Sequence, residues 1–335
     1  MTPRPLIPAL ALALALALAG CGAPSSGTAS SAGSAPAASG PPSAEGFPVT
    51  VTHGLGTTTI PHKPRRVVAL GFADAQIAAA LDAPVVGVAR NPSAKDGNWP
   101  GVTPPYPAAL QSLDSLTPNL ERVAALKPDL ILMTTAQPAF GSAYARLSTI
   151  APVIPYKNEL LQDSGDDLTL MIGQALGESA KATELVARSR ERLAAFAAEH
   201  PTLKGKKYVF GQQYSGNIYI VAAPDGPSAA FFSALGMKQP DELAALPVQQ
   251  GGAGQLSEER LDLLDTADVG FFGVYTDKER AEFEGRPLAS SLDLVKKGNL
   301  HYVTLDDASL LLGPNPAVTE TLLERLRPAL EKIAR

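Results

Sequence analysis

Cysteine is almost absent from the sequence, and histidine is rare. Cys21 is the only cysteine among 335 residues, so no disulfide bond can form within the chain. The four histidines are scattered and do not have the spacing of a zinc site; they are His53, His62, His200 and His301. We therefore expect no metal ion to be held directly by the protein.

The sequence also lacks the motifs by which many enzymes are recognised. The glycine-rich stretch Gly251–Gly254 is not followed by the lysine and the serine or threonine of a phosphate-binding loop. No GxSxG nucleophile elbow is present. Since no nucleophile or carboxylate pair stands inside a recognisable catalytic motif, we expect a protein that is not an enzyme.

Basic residues are not in excess. The chain has 28 basic and 33 acidic residues, a net charge of −5 and no basic run. This balance argues against a nucleic-acid partner. Hydrophobic residues make up 45% of the chain, which is enough for substantial cores, and 335 residues exceed what one core usually fills. Two domains are therefore expected.

Residues 1–20 are predicted to be a signal peptide. Arg4 supplies the positive end, and the apolar run Leu6–Ala19 is too short for a membrane-spanning helix and has no basic flank after it. The residues from Leu18 to Cys21 resemble the lipobox of bacterial lipoproteins, in which the cysteine is lipidated and becomes the new N-terminus. The alternative is a chance cysteine after an ordinary signal peptide. We expect lipid on Cys21 to anchor the protein on the extracytoplasmic face of the cell membrane.

Residues 21–46 are predicted to be a disordered tether that follows the lipidated cysteine. Alanine, serine, glycine and proline dominate the segment, and its only charged residue is Glu45. Such a composition cannot bury enough apolar surface to fold. A flexible chain of this length spans about 25–30 Å root-mean-square. The tether would therefore hold a folded body near the membrane.

The remaining sequence alternates short apolar strands with helices, first in residues 47–165 and again in residues 203–335. The predicted strands are Val49–Thr52, Thr57–Ile60, Pro64–Leu70, Val85–Val88, Leu130–Met133, Val153–Pro155, Tyr208–Gln212, Ile218–Val221, Val269–Phe272 and His301–Leu305. Residues 166–202 between the two halves are predicted to be linking helices. Such alternation favours mostly parallel sheets covered by helices on both faces.

The stretch Ser179–His200 is predicted to form one long helix. Its apolar residues recur at three- and four-residue spacing, Glu184 and Arg188 can pair across one turn, and a proline follows its end. At 1.5 Å per residue the helix is about 33 Å long, enough to bridge two small domains. The alternative is a surface helix within one large domain.

Two segments in the two halves are alike. Asn119–Leu126 precedes Asp129 and a strand, and Ser257–Leu264 precedes Asp268 and a strand. Each segment begins with a helix-capping residue and carries a glutamate two positions later. The likeness favours two lobes of similar design.

With these residues identified, the chain resembles ABC-transporter solute-binding proteins of the family that captures ferric siderophores, haem and cobalamin. The matching segments include an Asn-Leu-Glu and a Lys-Pro-Asp motif; they are Ile60–Leu70, Pro84–Val88, Pro118–Glu121, Ala125–Ile131, Leu147–Pro152, Leu256–Glu259 and Gly313–Pro314 with the final helix. The resemblance implies an α/β fold of the class III periplasmic-binding-protein type, with two Rossmann-like lobes joined by one long inter-lobe helix. It also implies a monomer that binds an iron(III) chelate between its lobes and delivers it to an ABC permease and its ATPase subunits.

Candidate ligand-binding residues of the first half follow strands, whose carboxyl ends line the cleft in α/β proteins. Arg90 suits an anionic chelate, although a solvated surface arginine is an equal alternative. Trp99 and Tyr106 could cover a planar ligand face, and loop packing is the alternative, more so for Tyr106. Thr135 and Gln137 follow a later strand.

The candidate ligand-binding residues of the second half lie at or near the ends of strands. Gln213 and Tyr214 follow one predicted strand, and Phe272 and Tyr275 end another. Each is equally well explained as a core or rim residue. Arg286 could add positive charge for an anionic ligand.

The resemblance further implies that one glutamate of each lobe docks onto arginines of the permease. Glu121 and Glu259 occupy matching places in the two similar segments, and Glu258 is the close competitor of Glu259. The alternative is that acidic residues favour the first turn of any helix through its dipole, by about 0.3–1 kcal/mol.

Other interpretations of the function stay open at this point. The family often carries an aromatic residue shortly after its last strand, where this chain has Ser309–Leu311. The solute could therefore be haem, cobalamin or another organic molecule. The chain could also be a tethered sensor or enzyme without delivery to a permease.

Overall fold

The computed structural model of the chain describes residues 46–249 and 251–335. The predicted signal peptide, the predicted lipidation site Cys21 and the predicted tether up to residue 45 lie outside these ranges. Within the described ranges, none of the helices combines the length and the apolar character needed to cross a bilayer.

The first half contains a hairpin and a parallel sheet. Its strands are β1 (Val49–His53), β2 (Gly56–Ile60), β3 (Val67–Ala69), β4 (Val85–Ala89), β5 (Gln111–Leu113), β6 (Leu130–Leu132) and β7 (Val153–Ile154). β1 and β2 pair antiparallel, and the other five strands form a sheet in the order β5-β4-β3-β6-β7 in which every pair is parallel. β3 and β6 are buried along their whole length, as expected for strands between two layers of helices.

The helices of the first half are short and follow the strands. They are α1 (Phe72–Ala80), α2 (Leu120–Ala125), α3 (Pro138–Gly141) and α4 (Tyr144–Leu147). α1 is buried over almost its whole length, including its polar residues Asp74 and Gln76. A helix that is buried on all sides belongs to the interior of the lobe and not to its surface.

Two helices connect the halves, α5 (Gly165–Leu176) and α6 (Ser179–Glu199). Gly177, with φ of 72°, ends α5 in the left-handed conformation that favours glycine. Ala182 near the start of α6 packs in the core of the first half, while Phe196 near its end packs in the core of the second half. One helix therefore belongs to both cores, as the sequence predicts for a helix that bridges two lobes.

The second half contains a mixed sheet. Its strands are β8 (Tyr208–Tyr214), β9 (Asn217–Val221), β10 (Ala253–Leu256), β11 (Val269–Gly273) and β12 (Leu300–Val303), in the order β10-β9-β8-β11-β12. β8, β11 and β12 are parallel, and β9 runs antiparallel to β8 and β10. The rings of Tyr208 and Phe232 stack with centroids 3.8 Å apart, and Phe271 lies 5.7 Å beyond Phe232. These aromatic contacts form the centre of the second core.

The helices of the second half cover this sheet. They are α7 (Pro227–Ala234), α8 (Asp241–Ala244), α9 (Asp277–Glu284), α10 (Pro287–Ser291), α11 (Asp293–Lys296), α12 (Leu305–Leu312) and α13 (Thr319–Ile333). Two 3-10 helices accompany them, Pro201–Leu203 and Glu258–Thr266. The predicted helix Ser257–Leu264 is thus a 3-10 helix, and it is interrupted at Arg260, whose φ and ψ are −110° and 19°.

Candidate functional site at the junction of the lobes

The lobes meet where loops at the carboxyl ends of strands in the first sheet face the segment that follows the last strand. Ala73 and Thr135 lie on one side, and Pro227 and Leu312–Asn315 lie on the other. The space between them is only about 10 Å³. These residues therefore form a closed floor, and we call this set the inter-lobe floor.

Side-chain hydrogen bonds cross the junction beside the floor. Asn91, in the loop after β4, donates from Nδ2 to Asp306 Oδ1 at 2.7 Å. Asn315 donates from Nδ2 to Gln76 Oε1 at 2.8 Å, and Gln76 donates from Nε2 to the carbonyl of Pro100 at 2.8 Å. Because Asn91, Gln76 and Asn315 are all buried, breaking these bonds would leave polar groups without partners. The bonds hold the segment after β12 against the first lobe.

Arg90 holds the long loop that follows β4. Its guanidinium donates to the carbonyl of Pro107 at 2.7 Å and to that of Tyr106 at 3.4 Å, and to Asn98 Oδ1 at 3.3 Å. The side chain is half-buried. Arg90 thus brings positive charge to the loop and also sets the loop's shape.

Trp99 and Tyr106 turn their polar ends inward from the same loop. Trp99 Nε1 donates to the carbonyl of Ala89 at 2.8 Å, and its ring packs against Phe72. The Tyr106 hydroxyl donates to the carbonyl of Ala75 at 2.9 Å. Burial raises the pKa of Tyr106 above its ordinary value. Both rings are half-buried, and their contact with a ligand stays a prediction.

Of the two candidates after β6, only Thr135 reaches the inter-lobe floor. It is buried, and its Oγ1 accepts a hydrogen bond from the amide of Ala73 at 3.0 Å. Gln137 is exposed at the start of α3, where its side chain makes no capping hydrogen bond.

In the second lobe, Arg286 is the centre of a polar cluster at the end of β8. It donates to Gln213 Oε1 at 3.3 Å and to the carbonyl of Gly216 at 2.9 Å, and it pairs with Glu258 at 3.1 Å. Its side chain is only 14% exposed, and its buried Nε has no hydrogen-bond partner among the described residues. Tyr214, the last residue of β8, is 61% exposed. The structure therefore brings Arg286 and Gln213 together, and Tyr214 lies exposed next to Gln213 in the same strand.

The remaining two candidates of this lobe have partners in its interior. Phe272 is 1% exposed and packs on Phe283 with ring centroids 4.4 Å apart. The Tyr275 hydroxyl donates to Gln212 Oε1 at 2.7 Å. Burial raises the pKa of Tyr275 above its ordinary value. Contact of Phe272 with a ligand would require its packing to change, because almost none of its surface is exposed, and the ligand-binding roles of Phe272 and Tyr275 stay predictions.

The candidate docking glutamates differ in their surroundings. Glu121 and Glu259 are exposed and form no ion pair among residues 46–249 and 251–335, whereas Glu258 is paired with Arg286. Glu121 lies one residue after the start of α2, whose capping residue Asn119 accepts from the amide of Arg122 at 3.0 Å. In the described part of the chain, the candidate docking carboxylates without an ion pair are thus those of Glu121 and Glu259.

The sequence patterns did not identify Asp74, Gln76 and Asn315, which shape the junction. Asp74 and Gln76 stand two residues apart in an otherwise apolar helix, FADAQIAAA. Polar side chains in such a helix must find partners inside the lobe, and this is the signal that could have marked them.

No group of three or more His, Cys, Asp or Glu residues that could hold a metal ion occurs in the part of the chain that the structure describes. The donors at the junction are instead amides, hydroxyls and guanidinium groups. Such a set suits a polar organic solute or a metal that arrives already enclosed by its own ligands.

Two α/β lobes that share one linking helix and meet at loops beyond their strands define a two-lobed solute-binding protein. The chain belongs to the periplasmic binding protein family, whose profile matches residues 67–306. This is a family of solute-binding transport proteins and not of enzymes.

The relatives agree with this assignment. The chain is 29% identical over 218 residues to the Fe(3+) dicitrate-binding periplasmic protein FecB of Escherichia coli, covering 63% of this chain and 68% of FecB. It is 27% identical over 274 residues to the probable siderophore-binding lipoprotein YfiY of Bacillus subtilis, covering 76% and 79%. Their names place these relatives outside the cytoplasm.

A solved structure supports the fold. The crystal structure of a periplasmic solute-binding protein from Mycobacterium smegmatis superposes with a TM-score of 0.71 and 26% identity, covering 86% of this chain and 99% of that one. The predicted fold class, α/β with two lobes of the class III type, is confirmed. The residue boundaries predicted for the lobes and the linking helices stay predictions.

Proposed function

We propose that this chain captures an iron(III) chelate between its two lobes outside the cytoplasm and delivers it to an ABC permease. The observation that carries the proposal is the junction of the lobes, where loops beyond the strands of both sheets meet around a common floor. Arg90 and Arg286 supply positive charge from the two lobes, which suits an anionic chelate. The names of FecB and YfiY support iron(III) complexes over other solutes.

Among the candidate contacts, Arg286 and Tyr214 of the second lobe are the most favourable. Tyr214 is largely exposed and can cover a ligand without rearrangement of a core. Arg286 has one buried N–H without a hydrogen-bond partner among the described residues, so a carboxylate or catecholate oxygen could complete its hydrogen bonds. Arg90, Trp99, Thr135, Gln137, Gln213, Phe272 and Tyr275 complete the proposed set.

Fluorescence titration tests the proposed capture, because Trp99 is the only tryptophan of the chain and ferric complexes absorb near its emission. We expect saturable quenching by iron(III) citrate, a ferric trihydroxamate or a ferric catecholate at one equivalent, and none by the iron-free ligands. Arg286→Gln should weaken binding about tenfold. Arg280→Gln, which removes an exposed arginine of α9, should leave binding unchanged.

Haem and cobalamin belong in the same titration as competing solutes. Saturable quenching by haem or cobalamin, with none by any ferric chelate, would overturn the choice of an iron(III) chelate while leaving the two-lobed receptor intact. Absence of binding by all of them would favour the tethered sensor or enzyme.

Delivery to a permease is proposed to depend on Glu121 and Glu259. Both carboxylates are exposed and unpaired among the described residues, so they are available to cations of a partner. In cells that depend on this protein for iron, Glu121→Ala with Glu259→Ala should lower uptake of radiolabelled iron at least about tenfold, because two charge pairs are lost. Binding of the chelate by the purified variant should not change.

A matched control removes the same charge elsewhere. Glu191→Ala with Glu199→Ala takes two exposed glutamates from α6 and should leave uptake unchanged. Normal uptake by the Glu121/Glu259 variant, or equal loss in both double variants, would contradict docking through this pair.

Anchoring at the membrane is proposed through lipid on Cys21. The support is the lipobox-like Leu-Ala-Gly-Cys segment and the description of YfiY as a lipoprotein. Cys21→Ala should release the protein from the membrane fraction.

A further inference from the structure

The carboxyl group of Asp74 is completely buried, with 0% of the residue exposed, in the interior helix α1. Its Oδ2 accepts a hydrogen bond from the amide of Gly71 at 2.7 Å. Its Oδ1 accepts two more, from the amide of Thr134 at 3.0 Å and from Thr134 Oγ1 at 2.5 Å. No cation pairs with it among the described residues, so these three hydrogen bonds are what stabilises a buried carboxylate here.

These donors come from two separate loops. Gly71 follows β3, and Thr134 follows β6, its parallel neighbour in the sheet. The next residue, Thr135, accepts from the amide of Ala73, and Ala73 and Thr135 together form the first-lobe side of the inter-lobe floor. Asp74 therefore ties together the two loops on which that side of the floor is built.

The packing around Asp74 leaves little room for another arrangement. A methyl group at Gly71 would lie 2.6 Å from Asp74 Oδ2 and would collide with Thr135 Oγ1. An asparagine at position 74 could accept through one oxygen only, and its NH₂ group would face an N–H donor. Only a carboxylate accepts from both loops at once.

We propose that Asp74 is a positioning residue of the ligand site: its ionised carboxylate holds the loops after β3 and β6 in the arrangement that forms the inter-lobe floor, and protonation loosens them. When the carboxyl group of Asp74 is protonated, one of its oxygens becomes an O–H donor. One of the three groups that donate to it, the amides of Gly71 and Thr134 and the Thr134 hydroxyl, then loses its acceptor. The floor geometry then depends on pH. The effect on chelate affinity rests on the proposed function, whereas the effect on the loops does not.

The charge state of Asp74 changes within a range that is easily reached. Burial raises its pKa to about 6, although the hydrogen bonds from Thr134 and Gly71 act in the opposite direction. Among the described residues, the titratable side chains around it include Tyr106, whose raised pKa keeps it neutral here, and Asp163, which lines the same cavity as Ala73. Arg90 lies beyond Tyr106 and donates to its backbone carbonyl.

Amide NMR on the ligand-free protein tests the positioning role directly. We expect the Gly71 and Thr134 amide resonances to move together with a midpoint near pH 6. Thr134→Val removes one hydrogen bond that favours the ionised form and should raise that midpoint. Asp163→Asn, a matched change in a second buried carboxylate, which binds the amides of Lys157 and Asn158, should leave the midpoint unchanged.

The decisive variant is Asp74→Asn. In this variant the resonances of the Gly71 and Thr134 amides should no longer move with a midpoint near pH 6. If that variant does not fold, the titration midpoint of the Gly71 and Thr134 amides in Thr134→Val tests the proposal instead. Amides of Gly71 and Thr134 that do not titrate in the wild type, that titrate equally in Asp74→Asn, or that keep their midpoint in Thr134→Val would overturn the proposal.

Affinity for a ferric trihydroxamate, which keeps its iron at mildly acidic pH, gives the functional measurement. Binding by the wild type should weaken about tenfold between about pH 7.5 and pH 5, because one hydrogen bond between Asp74 and the loops that form the floor is lost. Asp163→Asn should show the same pH dependence as the wild type. If no ferric complex binds at any pH, the proposed function fails while the NMR result still decides the role of Asp74.

Discussion

The hydrogen bonds of His53 determine its protonation state. The ring is buried at the turn of the β1–β2 hairpin, where Nδ1 accepts from the amide of Leu55 and Nε2 lies 2.9 Å from Thr58 Oγ1. The Thr58 hydroxyl donates its proton to the carbonyl of Val153, so it must accept from Nε2. The ring is therefore neutral, with its proton on Nε2. A second proton on Nδ1 would remove the acceptor for Leu55.

This arrangement predicts an acid-sensitive contribution to stability. Burial lowers the pKa of His53, so in mild acid the folded protein binds fewer protons than the unfolded chain. The contribution of neutral His53 to the free energy of unfolding is complete above the unfolded-state pKa of about 6.5. It is lost as pH falls through that value toward the lower pKa of the folded state. Urea unfolding from about pH 7.5 to pH 5.5 should show a larger loss of stability for the wild type than for His53→Gln.

Comparison of variants separates His53 from other titrating groups. Burial also lowers the pKa of His301, which adds a loss of the same sign, and the raised pKa of Asp74 contributes in the opposite direction. The contributions of His301 and Asp74 are present both in the wild type and in His53→Gln, so they cancel in the difference between the two proteins. His62→Gln, at an exposed position, should follow the wild type. If the free energy of unfolding changed equally with pH in the wild type and in His53→Gln, the assignment of this acid sensitivity to His53 would be contradicted.

Single residues of the site were predicted only in part from sequence. A residue that follows a strand is expected near the cleft; Thr135 does lie at the floor, and Tyr214 is exposed at the end of β8, where its contact with a ligand stays a prediction. The position of a residue after a strand contains no information about its hydrogen-bond partners. It therefore does not predict that Arg90 donates to loop carbonyls or that Trp99 donates to the carbonyl of Ala89. Those contacts depend on how a long loop folds back, which no short motif encodes.

At the scale of elements, the crossing of α5 and α6 joins the linking helices to the first lobe. Gly173 lies on the buried face of α5, and a methyl group there would collide with the Cβ atom of Ala182 in α6. The two backbones can approach this closely only because position 173 has no side chain. The first half of α6 is thereby held against the core that contains Ala182.

Gly173→Ala should therefore destabilise the protein, by about 1–3 kcal/mol in urea unfolding, because the added methyl group overpacks the helix contact. Gly141→Ala provides the matched control, since position 141 is exposed at the end of α3 with open space around it. That change should stabilise by about 0.4–1 kcal/mol through the unfolded state. Equal effects of the two substitutions would contradict the close approach of α5 and α6.

Two strands that the sequence does not predict have weak local patterns. β5 and β10 have the sequences QSL and AGQL, and both lie at sheet edges, where few hydrophobic residues are required. α12 did carry a signal, since Thr304 caps it and Asp307 stands three residues later. Central strands and long helices were predictable because burial on both faces, or on one stripe, imposes a clear hydrophobic pattern.

At the scale of the whole molecule, the linking helix and the crossing hydrogen bonds act together. α6 contributes Ala182 to one core and Phe196 to the other, and Asn91 and Asn315 connect the lobes at the floor. Large rotation of one lobe against the other would break these buried contacts. We therefore expect a ligand to enter a cleft that is already formed and to cause little movement of the lobes.

The two-lobed design was predictable from the repeated alternation of strands and helices, but the floor was not. The segment Leu312–Asn315 follows the last strand of the second lobe and yet packs against Ala73 and Thr135 of the first. Its role depends on contacts such as the hydrogen bond between Asn315 and Gln76, which are 239 positions apart, and such contacts leave no local pattern in the sequence.

The position of bound iron tests the central claim most directly. Crystals grown with the ferric chelate that saturates Trp99 quenching can be measured at the iron absorption edge. We predict one anomalous peak between the lobes, above the inter-lobe floor and beside Arg286. An iron peak outside the gap between the lobes, or saturating binding of the chelate with no iron there, would contradict capture between the lobes.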